Sequence, residues 1–559
     1  MNKSIKRIFA NKTLLITIII LAFITYLFFL VPIVIYPDSL GYYGYLKIFK
    51  GVDPISTWGL IRGPSFPLTI FMLVSIFGNA MLGLLIGAYI FFIGLLLIFY
   101  FTLINFIKRL GVNRTTGLVT IILFVILVVF NPILFGYSHA LLTEFIATFF
   151  ALVSCILSWL WLRIDFFRQR IKFILFGVTF AIIFCYIWFL KQPYITIAIL
   201  PLAISCVISV VMNHKISNIM QRFGTLIFCI FVLFVAINGW RGFLIENGAS
   251  QEAVNGLDNS VLGGGILKGL SDTSLSKKDL SVRQIDESIY LSSEDKQKAH
   301  KIFEAQLVGG KERVSILTIK SPSGKKIDEI PIFQATENLS TQEAVATWLM
   351  VSIKHPITVL SSYLSNYLAI SDLDNFTAEP GNGALIPNKH YAFSGNENNS
   401  IGLWYLNYEG NMYPTAKYYW EIDKVSYGDL QYINNDKNPL IKVIFGVLWP
   451  AYLVFYSVML IALPFLLIFS LIKYKKLFKD KNIVVGRVYE LLIIIFGFSF
   501  LHVIFNVLLG AIIDRYVFPV YPAIVLGLIL IIITNFRFNF SIDVLSKESK
   551  KQLSKKKKF

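Results

Sequence analysis

The chain has 559 residues, 56% hydrophobic and 15% charged, with 51 Lys and Arg against 33 Asp and Glu and a formal net charge of +18. A water-soluble fold of this length could not cover so much apolar surface, and the uncharged runs 14–35 and 81–107 exceed the roughly 20 residues that cross a bilayer. The positive excess does not point to nucleic acid, because it collects in short loops and in the tail Lys555-Lys556-Lys557-Lys558, as expected beside anionic headgroups.

The pattern predicts an all-α polytopic membrane protein with about ten transmembrane helices. The spans are expected at 14–35, 80–107, 116–135, 141–162, 173–190, 195–212, 223–245, 441–472, 488–512 and 517–536. An outer-membrane barrel would instead show alternating segments of about ten residues. The first span lacks a small-residue cleavage site and reads as a retained helix. The stretch 66–77 is too short to span and reads as an interfacial or half helix. Cys155, Cys185, Cys206 and Cys229 all fall inside spans, so neither a disulfide framework nor a Cys-based zinc site is expected.

Basic clusters test the count. Lys3, Lys6, Arg7 and Lys12 precede the first span; Lys108, Arg109 and Arg114 follow the second; Arg163, Arg168, Arg170 and Lys172 follow the fourth. His214, Lys215 and Arg222 follow the sixth, and Lys473, Lys475, Lys476, Lys479 and Lys481 the eighth. All fall on one side, which predicts a multi-pass plasma or inner membrane protein with both termini cytoplasmic.

The organisation expected is an N-terminal membrane module at 1–245 with a first outer loop at 36–79, an extracytoplasmic domain at 246–440, C-terminal helices at 441–536 and a basic cytoplasmic tail at 537–559. The 246–440 domain is expected to be α/β or mixed. Residues 277–302 read as charged and helix-like, while 314–319 and 326–333 read as strands around Ser321-Pro322-Ser323-Gly324, a hairpin signal. The apolar stretch 347–368, broken by Lys354-His355-Pro356, reads as a helix pair lying on the membrane.

The residues able to carry chemistry fall on the outer side. Asp38, just past the first span, either caps a helix starting near Ser39 or serves as a general base whose pKa partial desolvation tunes. Glu144 reads as lying about a turn into the fourth span; it is either a carboxylate favoured by the helix dipole or a functional group, the default for an ionisable residue in a span. His139, a candidate substrate-binding residue, lies nearby at a spacing poor for sharing a helix face, and a metal site from His139 and Glu144 is the weaker alternative. Lys191 and Arg515 are outer-side cations that either snorkel to headgroups or bind a lipid-linked phosphate, with Lys47 and Arg62 of the first loop able to join them. Tyr516, which follows Arg515 directly, is expected to join these substrate-binding residues. His502 reads as a packing or inter-helix hydrogen-bonding residue, and most Phe and Tyr residues read as lipid-facing or interfacial.

Taken in order, Asp38, the loop ending Arg62-Gly63-Pro64-Ser65-Phe66-Pro67, Leu141-Leu142-Thr143-Glu144, Lys191-Gln192-Pro193 and Asp514-Arg515-Tyr516 with Pro519 and Pro522 resemble the GT-C glycosyltransferases. Bacterial aminoarabinose transferases and protein O-mannosyltransferases are the nearest in pattern. The resemblance covers most of the membrane part and not 246–440. It implies a polyprenyl-phosphate sugar donor and an extracytoplasmic lipid, glycan or protein acceptor. Asp38 would match the first-loop catalytic acid and Glu144 the second acidic position. Many relatives carry an Asp-Glu pair where this chain has Asp38-Ser39, which bears on metal assistance. No cofactor is required by such a donor, and a divalent cation remains compatible with it; the metal ligands are unknown. The competing expectations are a polymerase or ligase of lipid-linked glycans, and a transporter or flippase, which would show paired broken spans and charges near mid-membrane.

Overall fold

The computed structural model describes residues 22–29, 34–35, 63–78, 80–139, 142–164, 168–211, 216–251, 448–479, 483–508 and 514–535, with short or isolated stretches within 42–54, at 254, and within 282–331, 349–368 and 404–414. Residues 22–29 are helical, and so are the isolated positions 42, 45 and 48 after Asp38. Tyr42 and Tyr45 are both fully buried, not interfacial, and Tyr42 packs edge-on against Phe66.

Helix α1 (Ser65–Phe77) is the expected short apolar helix. It ends at Gly78, whose φ of 66° lets the chain reverse directly into α2 (Ala80–Arg109). The expected third span is broken. Helix α3 (Arg114–Phe124) runs into a π-turn (Val125–Val129), and α4 (Pro132–Ser138) resumes at a bend of 46°. The cause is local: Pro132 has no N–H to give to the preceding turn. Asn131 then caps α4, its Oδ1 accepting the N–H groups of Ile133 and Leu134.

Helices α5 (Glu144–Trp161), α6 (Arg170–Leu190), α7 (Ile195–Val211) and α8 (Ile216–Glu246) follow. After the large loop come α9 (Trp449–Lys479), α10 (Ile483–Leu508), the single turn α11 (Asp514–Val517) and α12 (Tyr521–Asn535). Among the described residues eight helices are long and apolar enough to cross a membrane, or nine if the bent pair forms one span. The expected first span, 14–35, lies mostly outside the described residues.

Lipid tails are as apolar as leucine, so close packing rather than water exclusion holds such helices together. Helix α5 shows how: Ala147, Ala151, Ser154 and Ser158 form a buried stripe of small residues, and α7 and α10 pack on this helix. Helices α10 and α12 are the most enclosed spans, whereas α8 is apolar all round and mostly uncovered, as a lipid-facing helix should be.

In the large loop, β3 (Ile316–Lys320) and β4 (Lys326–Pro331) pair antiparallel with Leu317 opposite Ile330, as the turn signal predicts. Strand β2 (Val282–Ile285) pairs parallel to β3, correcting the helical expectation for that stretch; β-branched Val282 and Ile285 suit a pleated backbone. Strand β1 (Val34–Ile35) pairs antiparallel with β5 (Trp404–Leu406), and β5 with β6 (Met412–Pro414). Positions 349, 353, 357, 360, 364 and 368 are helical. Their apolar side chains are exposed, while Tyr367 donates to Leu460 O on α9 at 2.5 Å.

Candidate functional site

Glu144 opens α5 rather than lying a turn inside it, and its side chain is completely buried. Lys191 terminates α6 in an extended conformation, with φ −168° and ψ 122°, because Pro193, in the 3-10 turn Gln192–Tyr194 that follows, has no N–H to continue the helix. That break turns the lysine back into the protein. Its Nζ lies 3.3 Å from Glu144 Oε1, and Thr143 Oγ1 lies 3.4 Å from Oε2 of the same carboxylate. Lys191 is therefore not a snorkelling cation.

The ammonium also lies over the Tyr516 ring, 4.3 Å from its centroid, and 5.8 Å from that of Tyr194. The two rings meet edge-on at 6.2 Å. A cation over the face of an aromatic ring gains roughly 0.5–2 kcal/mol, more where water is excluded. The result is a partly enclosed cation held by a carboxylate and two phenol rings, delivered by three separate segments of chain.

The first outer loop reaches the same place. A Cβ on Gly63 would fall 2.1 Å from Phe189 O, so the backbone at Gly63 lies against the last turn of α6, two residues from Lys191. Thr69 and Tyr186 hydroxyls, 3.0 Å apart, tie α1 to α6 beside it.

Asp38, Lys47 and Arg62 lie outside the described residues. Arg515 sits in the backbone of α11, immediately before Tyr516, and its side chain lies outside the described residues. His139 is buried and held by backbone: Nε2 is 2.8 Å from Phe28 O and Nδ1 is 2.9 Å from Phe135 O. A neutral ring donates to one of these two carbonyls, and its ring contacts with Phe28 and Phe135 join 22–29 to α4. Among the described residues no group of three or more His, Cys, Asp or Glu side chains is arranged to hold a metal ion.

The far end of the bundle is built from arginines. Arg163 Nη2 pairs with Glu490 Oε2 at 2.7 Å, Nη1 donates to Trp159 O, and the guanidinium lies 3.9 Å over the Trp159 ring. Arg222, which is buried, donates to Ser209 Oγ and Leu162 O, each at 2.7 Å. These two members of the expected loop clusters are thus built into the helix ends and not merely solvated. Since α5 starts at Glu144 and ends at Trp161, the Glu144–Lys191 pair and the arginines occupy opposite ends of the bundle.

No protein-family model matches this chain, and no curated protein or solved structure matches it.

Several site residues escape a reading by motif. Tyr194 lies three residues past the singled-out Lys191 but carries no charge to draw attention, and Thr143, though inside the Leu141-Leu142-Thr143-Glu144 motif, takes no role of its own there. Thr196, His502 and Asn506 are polar groups buried within spans, and that burial is itself the signal.

Proposed function

We propose that this chain is a membrane glycosyltransferase of GT-C type, which moves a sugar from a polyprenyl-phosphate donor to an acceptor hydroxyl outside the cell membrane. The arginine-rich end is read as cytoplasmic by the positive-inside bias, which makes the Glu144 end extracytoplasmic. The observation that carries the reading is the enclosed Lys191 cation between Glu144 and Tyr516, with the backbone of Gly63 packed on the last turn of α6 beside it.

In this scheme the acceptor oxygen attacks the anomeric carbon and gives its proton to Asp38 as general base. The bond from the anomeric carbon to the phosphate oxygen breaks, and the polyprenyl phosphate leaves with that electron pair. Lys191, Arg515 and Arg62 stabilise the departing phosphate, an arrangement of charge set before the reaction begins. Glu144 positions Lys191. A single direct displacement inverts the anomeric centre. The donor is already activated, so no nucleotide is needed. The mixed domain at 246–440 is the part proposed to present the acceptor.

A transporter would call for paired broken spans and charges near mid-membrane. One bent span occurs among the described residues, and Glu144 and Lys191 lie at helix ends, so transfer is favoured.

The test uses the full chain in liposomes with a panel of polyprenyl-phosphate sugars, measuring release of polyprenyl phosphate. Asp38→Asn is expected to abolish release while donor binding persists. Wild-type turnover by that variant removes Asp38 as base; neither binding nor turnover by the wild-type chain across the panel overturns the transferase reading.

A further inference from the structure

His502 belongs to none of the motifs that point to the site, yet it joins two of the segments that form it. It is fully buried on α10. Its Nε2 lies 2.9 Å from Tyr516 O, and its Nδ1 lies 2.6 Å from Thr196 Oγ1 at the start of α7. A carbonyl only accepts, so Nε2 carries the proton; Nδ1 is then the acceptor and the Thr196 hydroxyl donates. Asn506, one turn on, donates to His502 O at 2.9 Å and braces the helix there.

Each arm ends on a part of the site. Thr196 follows the turn that carries Lys191 and Tyr194. Tyr516 carries the ring beneath the Lys191 ammonium and directly follows Arg515. An imidazole offers a donor and an acceptor on opposite edges of one rigid ring, so it can hold both segments at a fixed separation. A glutamine amide presents its donor and acceptor at one end and can serve one arm at a time.

We propose that His502 is a positioning residue that sets the Lys191–Tyr516 contact and, through it, the affinity of the site for a lipid-linked phosphate. The inference rests on the transferase reading for its ligand, and on geometry alone for the strut.

Two measurements test it on the full chain in lipid bilayers. The first is nitrogen-15 solid-state NMR of histidine-labelled protein, with the His502 signal among six identified by its loss in His502→Gln. A neutral ring protonated at Nε2 is expected, with the Nδ1 shift moving in Thr196→Val. An imidazolium or an Nδ1-protonated ring overturns the strut.

The second is a double-mutant cycle in polyprenyl phosphate affinity, with thermal midpoints recorded alongside. His502→Gln is expected to weaken binding about fivefold or more in the wild-type background, and less than about twofold in Tyr516→Ala. Equal losses in both backgrounds, or a lowered midpoint with unchanged affinity, overturn the positioning role. Absence of binding by the wild-type chain overturns the transferase reading together with the role assigned here, while the NMR result alone still decides whether the strut exists.

Discussion

Lys191 Nζ lies 3.3 Å from Glu144 Oε1, with the carboxylate fully buried and the lysine side chain almost so. A charge pair in such a setting is costly to half-remove, because the surviving partner keeps its desolvation cost and loses its counter-charge. Lys191→Met is therefore expected to destabilise the protein by about 3–5 kcal/mol. The thermal midpoint in detergent or nanodiscs measures it, and the double variant Glu144→Gln with Lys191→Met should recover part of the loss.

Glu144→Gln alone has a different signature. It leaves the ammonium in place and takes away its competitor for an anion. Binding of polyprenyl phosphate should tighten by up to about 1 kcal/mol, a factor of about five, while turnover falls as the lysine loses its fixed position. Weaker binding by this variant would count against Lys191 as the phosphate ligand.

Gly63 supplies a test of how the first loop is seated. An added methyl would meet Phe189 O at 2.1 Å, a backbone atom that cannot swing aside. Gly63→Ala should cost about 1–3 kcal/mol or more and lower turnover. Substitution at Gly78, where a Cβ meets nothing within 4 Å but φ is 66°, should affect stability through backbone strain and leave donor binding unchanged. Thermal midpoints and binding measured on both variants separate the two effects.

Tyr516 acts through its ring face. Tyr516→Phe keeps that face and should bind donor within about twofold of wild type, whereas Tyr516→Ala removes a contact worth roughly 0.5–2 kcal/mol, or about 2- to 30-fold in affinity. Isothermal calorimetry or scintillation proximity binding can read the difference.

Arg163→Met provides the opposite control. It strips the cation from Glu490 at the arginine-rich end and should lower stability by about 3 kcal/mol. Donor affinity per folded molecule should not change, because the variant is at the other end of α5. A specific loss of donor binding would argue against the separation of the two ends.

Much of the membrane part is legible in the sequence, since long apolar runs bounded by charge have few alternatives in a bilayer. The fifth span, expected at 173–190, is observed at Arg170–Leu190, and the half helix at 66–77 is observed at Ser65–Phe77. Hydropathy does not register the break at Asn131-Pro132, because the apolar content continues through it while the backbone hydrogen bonding does not. Strand β2 was hidden for the converse reason: its charged neighbours suggest a helix, and pairing with β3 decides otherwise.

Within the candidate site, charge made Glu144 and Lys191 conspicuous. Their pairing is a tertiary fact that no spacing rule contains, since it joins the start of one helix to the end of the next. The contribution of Gly63 is visible only as a contact between two backbones. Histidine 139 shows the limit from the other side: a polar residue beside a motif can be buried and engaged by its own structural neighbours, here Phe28 O and Ser138 Oγ.

Helix α5 is pinned at both ends, by Lys191 on its first residue and by Arg163 and Arg222 on the carbonyls of Trp159 and Leu162 near its last. Its 18 residues measure about 27 Å at 1.5 Å per residue. A helix so anchored cannot slide along its axis to match a thicker or thinner bilayer. The accommodation falls to the lipid and to tilt of the whole bundle. Acyl-chain length should therefore alter how deeply the Glu144–Lys191 pair is immersed, while the pair keeps its geometry.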